Sequence, residues 1–158
     1  MAPLDLSFTD EELAEFLANA RTVRVATVGR DGWPHVVPLW FVWHAGTLFV
    51  NTTSGNRTVR NAEANPRAAA TVDDGELYDE LRGVLLRGDL VAADGDPRLR
   101  EVGDGFAEKY FGGNQPHFER WRNRMFLRLE PEEIASWDFR KIPGALARRQ
   151  AERAGGPS

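Results

Sequence analysis

Apolar and polar positions change period several times along the 158 residues, and each change marks an element. Leu13, Phe16, Leu17 and Ala20 recur at the spacing of one helix face. They follow Thr9-Asp10-Glu11-Glu12, a capping box, with Phe8 placed to staple onto Leu13. From Thr22 the period drops to two: Val23, Val25 and Thr27 alternate against Arg24, Ala26 and Val28, and Gly29-Arg30-Asp31-Gly32 reverses the chain. Trp33 to Trp43 carries too many large apolar residues for a strand washed by solvent on one face. Glycine-bearing turns separate predicted strands at about 22–28, 34–43 and 47–51. A helix over about 57–65 stops before Pro66, and Ala68–Val72 forms a fourth strand turning at Asp73-Asp74-Gly75. Leu85 to Ala93 reads as a fifth, with Arg82 and Gly83 at its start. Pro97 opens a helix that Gly112-Gly113 ends near Phe111, and Met125–Glu130 alternates as the last strand. Six short strands with small helices between them predict a mostly β chain, closed as an antiparallel barrel rather than wound as a βαβ sheet. Residues 1–148 form one domain in this reading, and 149–158 a disordered tail.

Composition narrows the function without naming it. A 42% apolar, 28% charged mix is that of an ordinary soluble domain, and no window approaches a membrane-spanning run. The amino-terminal residues have no basic stretch leading into an apolar one, so the expected compartment is the cytoplasm. No cysteine is present, which excludes disulfides, thiolate metal sites and thiol nucleophiles. A net charge of −4 argues against a nucleic-acid partner. His35, His44 and His117 have no ligand-like spacing, so no metal is expected.

The candidate chemistry is concentrated after the third strand. Asn51 to Asn56 offers the hydroxyls of Thr52, Thr53 and Ser54 and the backbone donors of 55–57 at a helix start, with Arg57 and Arg60 just behind. Hydroxyls, amides and guanidinium forks together suit a phosphate; a capped surface helix with solvated arginines is the bland alternative. Pro38 removes a ladder donor within a strand and marks a bulge or an edge where a flat ring can meet backbone. Trp33, Phe41 and Trp43 read as core or interface residues, while Trp40 is the pocket candidate. Arg120-Trp121-Arg122-Asn123-Arg124 reads as a neutraliser of a bound anion or as part of a dimer seam. Trp137-Asp138-Phe139-Arg140 lies beyond the last predicted strand, either closing over a partner's groove or latching onto its own barrel.

Three strings, RVATVGRDGWPHVVPLWFVW, NTTSGNRTVRNAEANPRAAATV and GVLLRGDLVAADGDPRLREVGDGFAEKY, carry a resemblance over roughly residues 8–138. The chain resembles the pyridoxamine-5′-phosphate-oxidase-like split β-barrel family, FMN-binding in many members, on the branch that includes deazaflavin (coenzyme F420)-dependent reductases. The resemblance implies a six-stranded split barrel that dimerises with itself and shares a cofactor groove between subunits. It implies that Val37, Pro38 and Leu39 line the ring system, that Thr52, Thr53 and Arg57 hold the phosphate, and that Arg60 assists. Asn56 belongs to the same loop, and Thr58 stands where many relatives carry lysine. The implied activity is hydride transfer between F420 and a conjugated small molecule. FMN is the alternative cofactor, and a non-catalytic flavin-, deazaflavin- or haem-binding protein the alternative role. A deazaflavin's polyglutamate tail is an anion of the kind the Arg120–Arg124 cluster suits.

Overall fold

The computed structural model describes residues 3–115 and 122–155. In chain order it runs α1 (Asp10–Asn19), β1 (Val23–Val28), β2 (Pro34–His44), β3 (Thr47–Thr53), α2 (Arg57–Ala64), β4 (Arg67–Asp74), β5 (Arg82–Ala92), α3 (Leu99–Phe111), β6 (Arg124–Asp138) and α4 (Ile142–Ala154). All six strands pair antiparallel, and the order β1-β2-β3-β6-β5-β4 closes on itself as β4 returns to β1. The expected barrel is the observed one. Among the described residues no helix is long and apolar enough to cross a membrane.

Alternation fills the barrel. Val23 and Val25 from β1, Phe41 from β2, Leu48 and Val50 from β3, Leu86 and Leu90 from β5, and Leu127 and Leu129 from β6 are all buried in one cluster. Helix α1 adds Phe16 and Leu17 to that cluster, and its capping box is complete: Thr9 Oγ1 accepts from the Glu12 amide and Glu12 returns a carboxylate to the Thr9 amide. Helix α2 contributes Val59 and Ala62, while its Asn61 donates to Thr27 Oγ1 at 3.0 Å inside the barrel.

A second, smaller cluster lies outside the barrel wall, where α3 lays Val102 and Phe106 over Val42, Phe49 and Ala93. Tyr110 anchors that helix, accepting from the Phe41 amide at 2.9 Å and standing within donating distance of the Phe41 and Arg21 carbonyls. Its neighbour Lys109 donates to the Leu17 carbonyl over the Phe41 ring, and burial pushes its ammonium down to about 8. At the other end of α3 the Asp94-Gly95-Asp96 turn ends on a buried carboxylate: Asp96 accepts from Arg98 and Arg128, whose guanidinium groups hold it far below the usual carboxylate range. Pro97 sits in that turn, and the helix begins two residues later, at Leu99.

The largest departure from the sequence expectation is β6. Read as ending near Glu130, the strand continues through Pro131 to Asp138 and pairs with the whole of β5, Arg82 against Asp138 and Gly83 against Trp137. Proline does not stop it because the ladder slips there: Gly88 faces Pro131, Arg87 faces Glu133, and Glu132 is the extra residue of a bulge. Trp137–Arg140 is therefore no overhang. Asp138 donates its amide to the Leu6 carbonyl and holds Arg140 in a two-point ion pair, and Phe139 donates to the Leu81 carbonyl, so the segment is latched to its own barrel. The chain past Arg148, expected as a disordered tail, is helical as far as Ala154, in a stretch rich in alanine and arginine with Pro143 in the first turn.

Candidate functional site

Two faces meet at the end of the barrel where β1 turns into β2 and β3 feeds α2. The outer face of β2 is apolar and open. Strand alternation turns His35, Val37 and Leu39 partly inward and leaves Pro34, Val36, Pro38 and Trp40 exposed, Val36 at 59% and Trp40 at 38%. Trp33, in the turn before the strand, is 68% exposed. Of the predicted ring-lining residues, Pro38 and Trp40 thus present side chains to the outer face. Leu39 packs against the barrel core, so it and Val37 offer mainly backbone. Trp40 is not solitary: its indole stacks on Tyr110 at 4.6 Å and meets Phe106 and Phe111 near 6 Å. Beside it in the ladder, between Trp40 and Phe126, lies Asn51, whose buried Oδ1 has no hydrogen-bond partner among the described residues.

The polar half is the loop from Thr52 into α2. Gly55 takes a left-handed conformation (φ 71°) that lets the chain turn into the helix, and Asn56 caps it by accepting from the Val59 amide at 3.0 Å. The same Asn56 donates to Thr52 Oγ1 at 2.7 Å, so Thr52, buried, serves the loop's own framework. Thr53 and Ser54 are exposed. Thr53 Oγ1 accepts from Arg124 at 3.2 Å, and the Ser54 amide donates to the Asn123 carbonyl at 2.7 Å. Among the first-turn amides, those of Arg57 and Thr58 have no intrahelical acceptor by construction, and the helix dipole adds positive potential there.

The two predicted arginines separate from Thr58. Arg57 and Arg60 project from the exposed side of α2 into an open groove of about 570 Å³ that Gly29, Arg30, Asp31, Asn61, Glu63 and Ala64 also line. Thr58 faces the opposite way and is 1% exposed. Arg57 crosses the groove to bond Asp31 in the β1–β2 turn, Nη2 to Oδ2 at 3.0 Å. Sequence reasoning missed Asp31, because GRDG reads as a plain reversal and its partner stands 26 positions away. It also kept Arg124 in a separate basic cluster, although β6 brings it opposite Thr53. Of that cluster, Arg120 and Trp121, like His117, lie outside the described residues.

Among curated proteins no sequence match is found. Solved structures match over most of the chain. A conserved hypothetical protein from Mycobacterium tuberculosis superposes with a TM-score of 0.79 at 28% identity, covering 90% of this chain and 92% of that one. An F420 reductase superposes at 0.56 with 25% identity over 77% and 94%. HutZ, the haem storage protein from Vibrio cholerae, reaches 0.64 at 23% identity over 81% and 94%, a likeness of fold alone. The sequence profile of pyridoxamine 5′-phosphate oxidase matches residues 9–138, from the capping threonine of α1 to the last residue of β6. That span takes in every strand of the barrel, and the chain belongs to the pyridoxamine 5′-phosphate oxidase family.

Proposed function

We propose that this protein is a flavin- or deazaflavin-dependent oxidoreductase, with coenzyme F420 delivering hydride to a conjugated small molecule and FMN as the second cofactor reading. The observation that carries it is the pairing of one apolar outer strand with a groove bearing Arg30, Arg57 and Arg60 beside a hydroxyl-rich helix start. An apolar ring face and a phosphate joined to it through a flexible chain are served by those two features. Its likeness to an F420 reductase at 25% identity favours the deazaflavin.

When bound, the cofactor supplies the hydride chemistry, and the protein supplies position, orientation and charge. In this reading Arg57 and Arg60 carry the charge that holds the phosphate, and Thr53, Ser54 and the first-turn amides of α2 supply neutral donors. Pro38, Trp40 and the backbone of Val37 and Leu39 bound the ring and exclude water from one of its faces. Thr52 and Asn56 hold the loop in shape, and Thr58, packed under α2, keeps the helix seated. Titrating the purified protein with F420 and with FMN tests the assignment. Saturable binding of either, with the tighter one identifying the cofactor, is the expected result, and binding of neither sinks it.

A second copy of the chain completes the groove in this proposal. Trp33, Val36 and Trp40 with Val28 make an exposed apolar strip along β1 and β2, larger than the isolated apolar residues that ordinary surfaces scatter. A symmetric dimer that covers the strip removes it from water. Light scattering at micromolar concentration should report a dimeric mass, and a monomer there would count against the shared groove.

One specific observation favours the non-catalytic alternative. Arg57 is already engaged by a carboxylate, and Thr58 puts no charge beside it, so the anion grip is modest for an enzyme that must retain its cofactor through turnover. Colour separates the readings cheaply: a Soret band in the purified protein would support haem storage and overturn the oxidoreductase reading.

A further inference from the structure

The cofactor reading leaves Asp31 without a role, yet its carboxylate is the group placed most deliberately in the groove. The turn fixes it from below, since Oδ1 accepts the Trp33 amide at 3.1 Å while Oδ2 holds Arg57 at 3.0 Å. Close approach of turn and helix sets its reach: a Cβ on Gly29 would stand 2.8 Å from Asp31 Oδ1 and 3.1 Å from Asn61 Oδ1, so only glycine lets the carboxylate lie where it does. Asp31 and Arg57 are each about half exposed, at 52% and 50% of their side chains, so an incoming anion can reach the pair.

We infer that Asp31 is a built-in counter-anion that lowers the affinity of the groove for doubly charged phosphate and so selects a singly charged phosphodiester over a phosphomonoester. The inference rests on the phosphate reading of Arg57. A ligand phosphate must either displace the carboxylate from the guanidinium or bind the remaining donors with the carboxylate a few ångströms away. Both costs grow with the ligand's own charge, because repulsion scales with the product of the two charges. A phosphomonoester carries close to two negative charges at neutral pH, whereas a phosphodiester carries one. FMN is the former kind and F420 the latter, so Asp31 biases the site toward the deazaflavin without touching its ring.

The experiment titrates FMN and F420 into the wild type, Asp31→Asn, Arg57→Ala and the double variant, each at low and at high salt. Asparagine keeps the acceptor for the Trp33 amide and suits a turn, and thermal unfolding of each variant verifies that the barrel is intact. Should Asp31→Asn unfold, Asp31→Ser replaces it. Removing the charge should tighten FMN by about three- to tenfold and F420 by less, with both gains shrinking in salt. In the Arg57→Ala background the part of the gain that comes from freeing the guanidinium should be lost, while the part that comes from direct repulsion between carboxylate and anion should remain. An FMN-to-F420 preference unmoved by Asp31→Asn, while Arg57→Ala still weakens both ligands, overturns the counter-anion and leaves the phosphate site standing. Unchanged binding in a folded Arg57→Ala protein overturns the phosphate reading and takes this inference with it.

Discussion

Gly88→Ala should cost the barrel more than about 3 kcal/mol of stability, although it adds a single methyl group. Gly88 faces Pro131 at the bulge where β5 and β6 change register. A Cβ there would stand 2.5 Å from the Glu130 carbonyl oxygen, with Leu129 Cδ2 at 3.4 Å. A side-chain end could swing away, but a backbone carbonyl inside the longest strand pair of the closed sheet cannot move without breaking ladder bonds on both sides. Overpacking a core costs about 1–3 kcal/mol where side chains yield, and a backbone clash that cannot relax should exceed about 3 kcal/mol. Against a total of about 5–15 kcal/mol for a domain, that loss puts a measurable unfolded fraction within reach of mild denaturant. Urea unfolding followed by tryptophan fluorescence measures it. Gly103→Ala is the control: nothing lies within 4 Å of its Cβ, and alanine in the interior of α3 should stabilise by about 0.5–1 kcal/mol. A Gly88→Ala protein with an unmoved midpoint would mean that the bulge is not as tight as its geometry states.

What the sequence disclosed and what it hid follow from the range of the interactions involved. The Thr9 box, the alternation of Val23, Val25 and Thr27, the Pro66 stop after α2 and the glycine turns are local signals, and the elements that they predict are present within two or so residues. The alternation read for the last strand stops at Glu130, and Pro131 follows it: against a regular strand proline ends pairing, but against the Gly88 bulge its missing N–H is no loss. The extension of β6 to Asp138, and with it the latch at Trp137–Arg140, was illegible for that reason. At the site, the hydroxyl loop and the two arginines could be read as a string. Spacing did not disclose that Thr58 turns inward under α2 while Arg57 and Arg60 turn outward, because both faces of a short helix look alike until the barrel rim chooses between them. Asp31 and Arg124 reach the site through strand pairing, from 26 residues before Arg57 and 71 after Thr53, and no local pattern links such positions.

Arg57→Ala should weaken cofactor binding far more than it weakens the fold. In the folded protein Arg57 gives up one ion pair, to Asp31, and both partners are about half exposed. Exposed pairs of that kind contribute about 0–1 kcal/mol, so the melting temperature should barely move. A charge-assisted bond from a guanidinium to a phosphate is stronger, about 1.5–3 kcal/mol, which is roughly ten- to a hundredfold in affinity. Asp31 pulls the expectation toward the lower end, since the arginine must partly release a carboxylate before it can hold a phosphate. Arg60→Ala, on the same face but without a bond to the turn, should cost less than Arg57→Ala and add to it, because the two guanidinium groups meet the same anion from one side of the groove. The pair of variants also separates the phosphate site from its rival. Were the arginines only solvated charges on a capped helix, both substitutions would leave F420 and FMN titrations where they began, and the anion would have to be sought at Thr53 and Arg124 instead.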